Sequence, residues 1–311
     1  MNKRIIFVPQ LPVKLRYSEW WINEFEKEFK KHYDDVIVLG KNILTHLNDK
    51  SNDTSLFAPI NESIKFEQFQ INEFLDLDIS PEDTLFLSDI SFPGFFTNVL
   101  HHKRIKNAYA FCHGTSKNAY DYFQNNRDSK WLIESGHSKI FKKVFVATNY
   151  HKEKLRWKNI KVVGVPEPPF EKFNEVKENN IISVNRNNIQ KRNKGLEKCV
   201  EQQFGKIIRQ KFDTWKEYYQ FISKSKILLI TTKEETFGYS ALESIKNNCI
   251  PLAPNKFSYP ELLPKRFLYN SKQELIEKIE YYLNEKNWYV PKLINQELID
   301  NFYGNVIREV Y

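Results

Sequence analysis

The sequence contains little glycine or cysteine and no long apolar run. Its 311 residues include nine glycines and three cysteines. Because no G-x-G-x-x-G fingerprint follows a predicted strand, a Rossmann dehydrogenase is disfavoured. The cysteines, at positions 112, 199 and 249, are odd in number and far apart. This spacing indicates reduced thiols, and neither a disulfide framework nor a cysteine metal site.

The sequence also lacks the features of a membrane anchor or a secretion signal. No stretch approaches the roughly 20 apolar residues that a membrane-spanning helix needs. The charged start at residues 1–10 leads directly into a predicted strand, unlike a signal peptide. We therefore expect a cytoplasmic protein without an integral membrane segment. The length of 311 residues suits two domains of about 150 residues each.

Positive charge is concentrated in the middle of the chain. The net charge is +8, and residues 101–161 alone contain 14 Lys and Arg against 4 Asp and Glu, a surplus of +10. Aromatic residues are interleaved with these cations. Cations mixed with stacking side chains suit a polyanion with exposed bases, such as a nucleic acid. The alternative is a general lysine bias of the sequence, in which case this block has no binding role.

Short apolar strands alternate with helical segments along the whole chain, and this alternation predicts α/β domains with doubly wound parallel sheets. The predicted strands are residues 4–9, 35–39, 84–87, 108–112, 143–147, 160–163, 181–184, 227–230 and 250–253. The predicted helices are residues 17–32, 62–74, 116–124, 131–138, 149–157, 195–202, 213–223, 239–245, 272–283 and 295–309.

The densest proline cluster, at residues 166–169, marks the best domain boundary, because proline interrupts both helices and strand ladders. We predict an N-terminal domain over residues 1–165 and a C-terminal domain over residues 166–294.

The strand at 227–230, the turn after it and the helix at 239–245 form the unit around which the chain is organised. Glu235 and Glu243 are eight positions apart in this unit, and Gly238 lies between them at the turn. The first amides of a helix have no intrahelical acceptor, so a helix that starts at the carboxyl end of a strand suits a phosphate. For one of these acids, simple solvation beside the helix start is the alternative explanation.

This acidic pair, with Phe237-Gly238 inside it and the segments 249–251 and 259–261 after it, resembles the donor-site signature of the retaining glycosyltransferase family 4. The resemblance implies the GT-B fold, in which two Rossmann-like doubly wound domains face a cleft. The first domain, completed by a C-terminal helix at 295–311, would bind the acceptor, and the second would bind the nucleotide sugar.

The resemblance also implies the reaction and the donor contacts. A hexose would move from a nucleotide-diphosphate sugar to a hydroxyl group with retention of configuration, and the donor would be a co-substrate with no further cofactor. Glu235 would lie beside the transferred sugar, and Glu243 would bind the ribose hydroxyls. The residues around the helix start would face the diphosphate: Thr236, Phe237, Gly238, Tyr239 and Ser240.

Two cations follow the strand at 181–184. Arg186 and Lys194, which precedes a glycine, resemble the family's phosphate-binding pair. Such cations neutralise a departing diphosphate, so no metal is required. Lys191 and Arg192 are rival cations in the same loop. We expect Arg186→Ala to abolish turnover while the fold stays intact.

Candidate acceptor residues lie in the first domain. His113 ends the strand at 108–112, and by resemblance it would donate a hydrogen bond to the transferred sugar or orient the acceptor. Gln10 lies in the loop after the first strand, which has no glycine although most family members have a glycine-rich loop there. Trp131 and Tyr150 lie in segments that resemble a phage and bacterial subgroup. We therefore predict acceptor contacts at Gln10, Trp131 and Tyr150.

A modified base in DNA is the favoured acceptor because of the basic, aromatic-rich block. A tRNA base is the second possibility, since residues 258–262 resemble the enzymes that mannosylate queuosine in tRNA. Two alternatives stay open: transfer to a surface polysaccharide or lipid-linked glycan, and a protein that binds a nucleotide sugar or a nucleic acid without catalysis. Asp76-Leu77-Asp78 precedes a turn signature and His101-His102 has no companion at ligand spacing, so we predict no metal site.

Overall fold

A computed structural model of the protein describes residues 3–43, 60–90, 105–120, 127–185, 190–286, 293–294 and 296–311. The chain divides into two compact units. Unit 1 comprises Met1–Pro166 with Asn301–Tyr311, and unit 2 comprises Glu167–Asp300. Arg186 and the pair His101-His102 lie outside the described residues.

Unit 1 contains a six-stranded parallel sheet. Its strands are β1 (Arg4–Val8), β2 (Asp35–Val38), β3 (Thr84–Leu87), β4 (Asn107–Phe111), β5 (Lys143–Val146) and β6 (Ile160–Val162). The order across the sheet is β2-β1-β3-β4-β5-β6, and every pairing is parallel. From β1 the chain adds β2 on one side and then β3 on the other, so the switch point of the sheet lies between β1 and β3. Open α/β sheets bind ligands at the carboxyl ends of strands at such a switch point.

The helices of unit 1 supply its core. They are α1 (Tyr17–Phe29), α2 (Ile60–Leu75), α3 (Arg127–Ser138) and α4 (Asn149–Leu155), with a 3₁₀ turn at Lys41–Ile43. On α1, Trp21, Phe25 and Phe29 recur every fourth residue and are each at most 1% exposed. Phe25 and Phe29 both pack against Phe86 of β3, with ring centroids 5.2 and 5.1 Å away. This aromatic stripe is core, as its helical spacing predicts.

A helix predicted over residues 116–124 is wrong in its first part, which forms turns. The N–H of Thr115 donates to Asn118 Oδ1 at 2.9 Å, and the N–H of Ser116 donates to Glu134 Oε1 at 3.0 Å. Short polar side chains that capture backbone donors compete with a helix. The rest of the predicted helix lies outside the described residues.

Unit 2 contains a four-stranded parallel sheet. Its strands are β7 (Glu178–Ile182), β8 (Ser225–Leu229), β9 (Ile250–Pro254) and β10 (Leu268–Tyr269), in the order β10-β9-β8-β7. Ile182 at the end of β7 also forms a parallel bridge with Ile208. Because Ile182 pairs with Leu228 of β8 as well, the Ile208 segment lies on the other side of β7. The switch point of unit 2 is therefore between β7 and β8.

The helices of unit 2 are α5 (Lys194–Phe204), α6 (Trp215–Lys224), α7 (Tyr239–Lys246), α8 (Tyr259–Leu262), α9 (Lys272–Asn284) and α10 (Gln296–Asp300), with a 3₁₀ turn at Lys265–Phe267. Thr214 begins α6 with a capping box, because its side chain accepts from the N–H of Glu217 while the carboxylate of Glu217 accepts from the N–H of Thr214.

The C-terminal segment belongs to both units. The predicted single helix is interrupted at Asn301, after α10, and the next helix is α11 (Phe302–Val310). Phe302 is fully buried and stacks on Phe111 of β4 at 5.6 Å. The hydroxyl of Tyr33 donates to the carbonyl of Val310 at 2.7 Å. The last helix is thus part of the core of unit 1.

Candidate active site

Gly238 shapes the turn between β8 and α7. Its φ is +87°, in the left-handed region that favours glycine. A Cβ at this position would lie 2.6 Å from Leu262 Cδ1 and 3.5 Å from Ser258 Oγ. Both the backbone conformation and the close approach of the segment leading into α8 therefore require glycine here. The turn places the start of α7 at the carboxyl end of β8, beside the switch point.

Glu235 is the central side chain of this turn. One carboxylate oxygen, Oε1, accepts from the N–H groups of Thr236 and Phe237 at 3.1 Å each. The other, Oε2, lies 2.7 Å from Nζ of Lys191. The side chains of Lys191 and Glu235 are only 15% and 13% exposed. The turn is thus built around a partly buried ion pair.

The ion pair keeps Glu235 charged. Burial raises the pKa of Glu235, but the charge of Lys191 and the hydrogen bonds from Lys191, Phe237 and Gly238 lower it by more, so the pKa lies below its ordinary value. An ionised carboxylate can only accept hydrogen bonds. Glu235 can therefore accept from sugar hydroxyls or stabilise positive charge that develops on a sugar ring.

Several amides of the turn donate within the protein. The N–H groups of Thr236 and Phe237 donate to Glu235, and their contact with a diphosphate stays a prediction. Ser240 lies in the first turn of α7, ahead of Ala241 and Leu242, whose N–H groups donate to the carbonyl of Gly238 at 3.0 and 3.3 Å. A contact between Ser240 and an anion stays a prediction. The ring of Tyr239 stacks on Phe237 with centroids 5.5 Å apart.

The structure gives different surroundings to Lys191, Arg192 and Lys194, the three described candidates for a phosphate-binding cation. Lys191 reaches Glu235. Arg192 binds Glu197 of α5 through Nε at 2.9 Å, and Arg209 binds the same carboxylate at 3.0 Å. Lys194 is exposed at the first position of α5. Lys191 therefore contacts the turn and is a second candidate for the phosphate role, while the role of Lys194 stays a prediction.

Glu243 lies two turns along α7 and is 6% exposed. Its Oε2 accepts from the hydroxyl of Tyr218 at 2.6 Å, and its Oε1 accepts from that of Tyr219 at 3.2 Å. Burial raises the pKa of Glu243 to about 7, although both tyrosine hydrogen bonds oppose the rise. No sequence pattern connects these tyrosines of α6 with the predicted ribose-binding acid, which lies 25 and 24 residues further along the chain.

His113 follows β4 at the carboxyl edge of the sheet in unit 1. Its Nε2 lies 3.0 Å from the carbonyl oxygen of Ser88, and its ring stacks on Tyr17 at 4.5 Å. Burial lowers the pKa of His113 to about 3, and the hydrogen bond to Ser88 only partly opposes this. Because a carbonyl can only accept, we assign the neutral tautomer with the proton on Nε2. Nδ1 is then an acceptor, which favours orientation of an acceptor hydroxyl over donation to the sugar, and both roles stay predictions.

This assignment gives a testable expectation for His113. From pH 8 to pH 5 its ring should stay neutral with the proton on Nε2, because its pKa lies near 3. Long-range ¹⁵N–¹H NMR of the rings measures both properties, and the His113→Gln variant identifies the signal. A protonation midpoint near 6.5, the ordinary value for histidine, would show that the ring is not desolvated as the structure has it.

Gln10 lies at the switch point of unit 1, next to Ser88, whose carbonyl contacts His113. Its backbone N–H donates to Ser88 Oγ at 2.7 Å, and its side-chain amide donates to Asp89. Burial raises the pKa of Glu67 on α2 to about 8, and the negative charge of Asp89 adds to the rise. Sequence reasoning identified Gln10 but missed both acids. Asp89 could have been noticed, because it comes two residues after the end of β3.

The two predicted aromatic acceptor contacts lie on α3 and α4. Trp131 stacks on Trp157 at 5.6 Å, beneath the Nζ of Lys117 at 4.7 Å, and packs against the core of unit 1. Tyr150 lies in the first turn of α4, and its hydroxyl accepts from Lys154 at 3.4 Å. The structure therefore gives Trp131 a packing role beside a cation, and acceptor contacts at both positions stay predictions.

In the part of the chain that the structure describes, no group of three or more His, Cys, Asp or Glu side chains could hold a metal ion. None of the helices in this part of the chain is both long and apolar enough to cross a membrane.

Solved structures with a similar fold include a galactosyltransferase. The lipopolysaccharide outer core galactosyltransferase WaaB matches with a TM-score of 0.63 over 99% of both chains, at 15% identity. The chain has the GT-B fold. A mutant of S. aureus TarM, solved with fondaparinux, α-GlcNAc-glycerol and UDP, matches this GT-B chain with a TM-score of 0.51 at 13% identity. That match covers 78% of this chain and 56% of TarM.

Sequence comparison adds a relative that acts on RNA. A tRNA-queuosine α-mannosyltransferase of Drosophila melanogaster is 33% identical over 89 residues, which are 29% of this GT-B chain and 22% of that protein. The match thus spans about a fifth of the curated relative. No protein-family model matches the chain. The matches to solved structures confirm the predicted α/β fold of two parallel-sheet units.

Proposed function

We propose that the protein is a retaining glycosyltransferase of the family 4 type, which moves a hexose from a nucleotide-diphosphate sugar to a hydroxyl group on a modified base in a nucleic acid. The observation that carries this proposal is the ion pair between Lys191 and Glu235 at the start of α7. It brings a cation that precedes α5, for a departing phosphate, to a carboxylate in the turn after β8, for the sugar, at the switch point of unit 2.

The chemistry required is stabilisation of separated charge. As the bond between the anomeric carbon and the phosphate oxygen breaks, negative charge gathers on the diphosphate and positive charge develops on the sugar ring. Lys191 and the first turn of α7 would stabilise the diphosphate, while ionised Glu235 would face the sugar. In this proposal the nucleotide sugar is a co-substrate and no further cofactor takes part.

Unit 1 would bind the acceptor. At its switch point, Gln10, Asp89 and the ring of His113 lie around the Ser88 backbone. The acceptor nitrogen of His113 suits a hydroxyl group, which needs an acceptor for its proton. The surplus of positive charge over residues 101–161 suits a phosphate backbone.

DNA and tRNA are distinguished by experiment. The resemblance to a phage subgroup supports DNA, whereas the match to a tRNA-queuosine mannosyltransferase supports tRNA. A panel of radiolabelled nucleotide sugars is first tested for slow hydrolysis, which separates an enzyme from a binding protein. Filter assays then offer hydroxymethylated DNA, queuosine-containing tRNA and membrane lipid extract with the active donor.

We expect label in DNA or tRNA, and none when Glu235→Gln replaces the wild type. Label that appears only in lipid extract would make the nucleic-acid acceptor wrong. Binding of a nucleotide sugar without hydrolysis or transfer to any acceptor would support the non-catalytic alternative.

One observation favours the second candidate, transfer to a lipid-linked or surface glycan. On α3, Leu132 and Ile133 are 74% and 52% exposed. Arg127 on the same helix and Lys139 just after it are exposed too. An aliphatic face flanked by cations suits an anionic membrane surface. Sedimentation with anionic vesicles, with Leu132→Asp as the comparison, tests this candidate, which predicts that the substitution weakens vesicle binding.

A further inference from the structure

We propose that Tyr218 is a positioning residue that orients Glu243 toward the ribose of the donor and sets the pH range over which the donor binds. This inference rests on the proposed function, because it requires a nucleotide at the start of α7. It goes further in assigning the ribose contact to a three-residue unit of Glu243, Tyr218 and Tyr219.

The hydrogen bonds within the unit leave acceptor capacity on Glu243. Each oxygen of Glu243 accepts from one tyrosine hydroxyl, with distances of 2.6 Å to Tyr218 and 3.2 Å to Tyr219. A carboxylate oxygen can accept two hydrogen bonds. One tyrosine on each oxygen therefore fixes the plane of the carboxylate and leaves capacity for two further donors, which matches the two hydroxyls of a ribose.

The two tyrosines differ in their surroundings. Tyr219 is 1% exposed, and its ring stacks on Trp215 at 5.8 Å and packs against Phe170 at 5.6 Å, so it belongs to the core of unit 2. Tyr218 is only partly buried, and its hydrogen bond to Glu243 is the shorter one. Removing the Tyr218 hydroxyl therefore changes Glu243 while the aromatic packing of Tyr219 is kept.

The surroundings of Glu243 also place its pKa near neutral pH, where the ionised and protonated forms coexist. Burial raises its pKa to about 7, while hydrogen bonds from the two hydroxyls favour the ionised form. The ionised form accepts from ribose hydroxyls through both oxygens, whereas the protonated form loses one acceptor site to its own proton. Donor affinity should therefore increase as the pH rises through 7.

The charged and titratable neighbours do not supply this transition. Lys246 of α7 lowers the pKa of Glu243, and it is itself held by Glu167 at 3.0 Å. Burial raises the pKa of Cys249 to about 12, and it raises the pKa of both Tyr218 and Tyr219 well above the ordinary value. These three groups stay protonated near neutral pH.

The test is calorimetric binding of UDP from pH 5.5 to pH 8.5, with 2′-deoxy-UDP as the matched ligand. The diphosphate titrates equally in both ligands, so the ratio of their affinities isolates the ribose contact. For wild-type protein we expect this ratio to favour UDP increasingly as the pH rises through 7. Tyr218→Phe should move the midpoint upward by about one pH unit and weaken UDP binding at pH 7 by about fivefold, with 2′-deoxy-UDP affected less.

Two further variants complete the test. Tyr281→Phe, at an exposed tyrosine of α9, should match the wild type. Glu243→Gln should bind UDP with no pH-dependent preference over 2′-deoxy-UDP, and it gives a second measure of the ribose contact if Tyr218→Phe is unstable. If wild-type protein binds UDP and Tyr218→Phe shows the same midpoint and affinity, the inference is wrong and the proposed function stands. If the wild type binds neither UDP nor any other nucleoside diphosphate, both are wrong.

Discussion

Lys191→Met is expected to lower kcat for sugar transfer by about 100-fold or more, the usual cost of removing one group that stabilises a developing negative charge. Nζ of Lys191 lies 2.7 Å from Glu235 in the turn between β8 and α7. Methionine keeps most of the length and apolar volume of the lysine stem but has no charge. The measurement is initial rate against donor concentration, with the acceptor that the labelling assay identifies.

The same substitution leaves Glu235 partly buried without its cation, so a loss of folding stability must be separated from a loss of catalysis. The double variant Lys191→Met with Glu235→Gln removes both charges, and it should recover stability relative to Lys191→Met alone. It should not recover turnover. Equilibrium unfolding in urea measures the first property and the rate assay measures the second.

Lys194→Met is the matched control for the cation. Lys194 is exposed at the first position of α5, so its loss should change kcat by no more than a few-fold. A large loss of kcat in Lys194→Met, together with a near-normal kcat in Lys191→Met, would assign the phosphate role to Lys194, as predicted from the sequence. Lys191 would then have no phosphate role.

Local features of the fold could be predicted from the sequence. The periodicity places a helix at 239–245, and the structure has α7 at Tyr239–Lys246. The strand predicted at 227–230 corresponds to β8 at Ser225–Leu229, whose start escapes prediction because Ser225 and Lys226 are polar yet buried. The short segment around Ile208 beside β7 also escapes prediction, since a single bridge leaves almost no pattern in the sequence.

The side-chain contacts of the site could not be predicted in the same way. Lys191 and Glu235 are 44 residues apart, and their contact depends on how the loop after β7 lies beside the turn after β8. Sequence spacing alone favoured Lys194 because a glycine follows it. Glu243 and Tyr218 meet only because α6 packs beside α7. Contacts between separate elements follow from packing, which short-range patterns do not encode.

Gly238→Ala is expected to lower the free energy of unfolding of unit 2 by about 2–5 kcal/mol and to reduce sugar transfer by at least about tenfold. The left-handed backbone costs an L-residue about 1–2 kcal/mol, and forcing a methyl group into packed surroundings costs about 1–3 kcal/mol more. A displaced turn would also move Glu235 and the start of α7, and displacements near 1 Å can cost about 100-fold in rate.

A double-mutant cycle separates the two causes of this loss. The added Cβ would lie 2.6 Å from Leu262 Cδ1, so in a Leu262→Ala background the contact is absent and only the backbone strain is left. Gly238→Ala should therefore cost about 1–3 kcal/mol less in that background than in the wild type. Equal costs in both backgrounds would show that the backbone conformation alone requires glycine. A change below about 0.5 kcal/mol in the wild type, within the range of ordinary surface substitutions, would show that the turn does not have the conformation described.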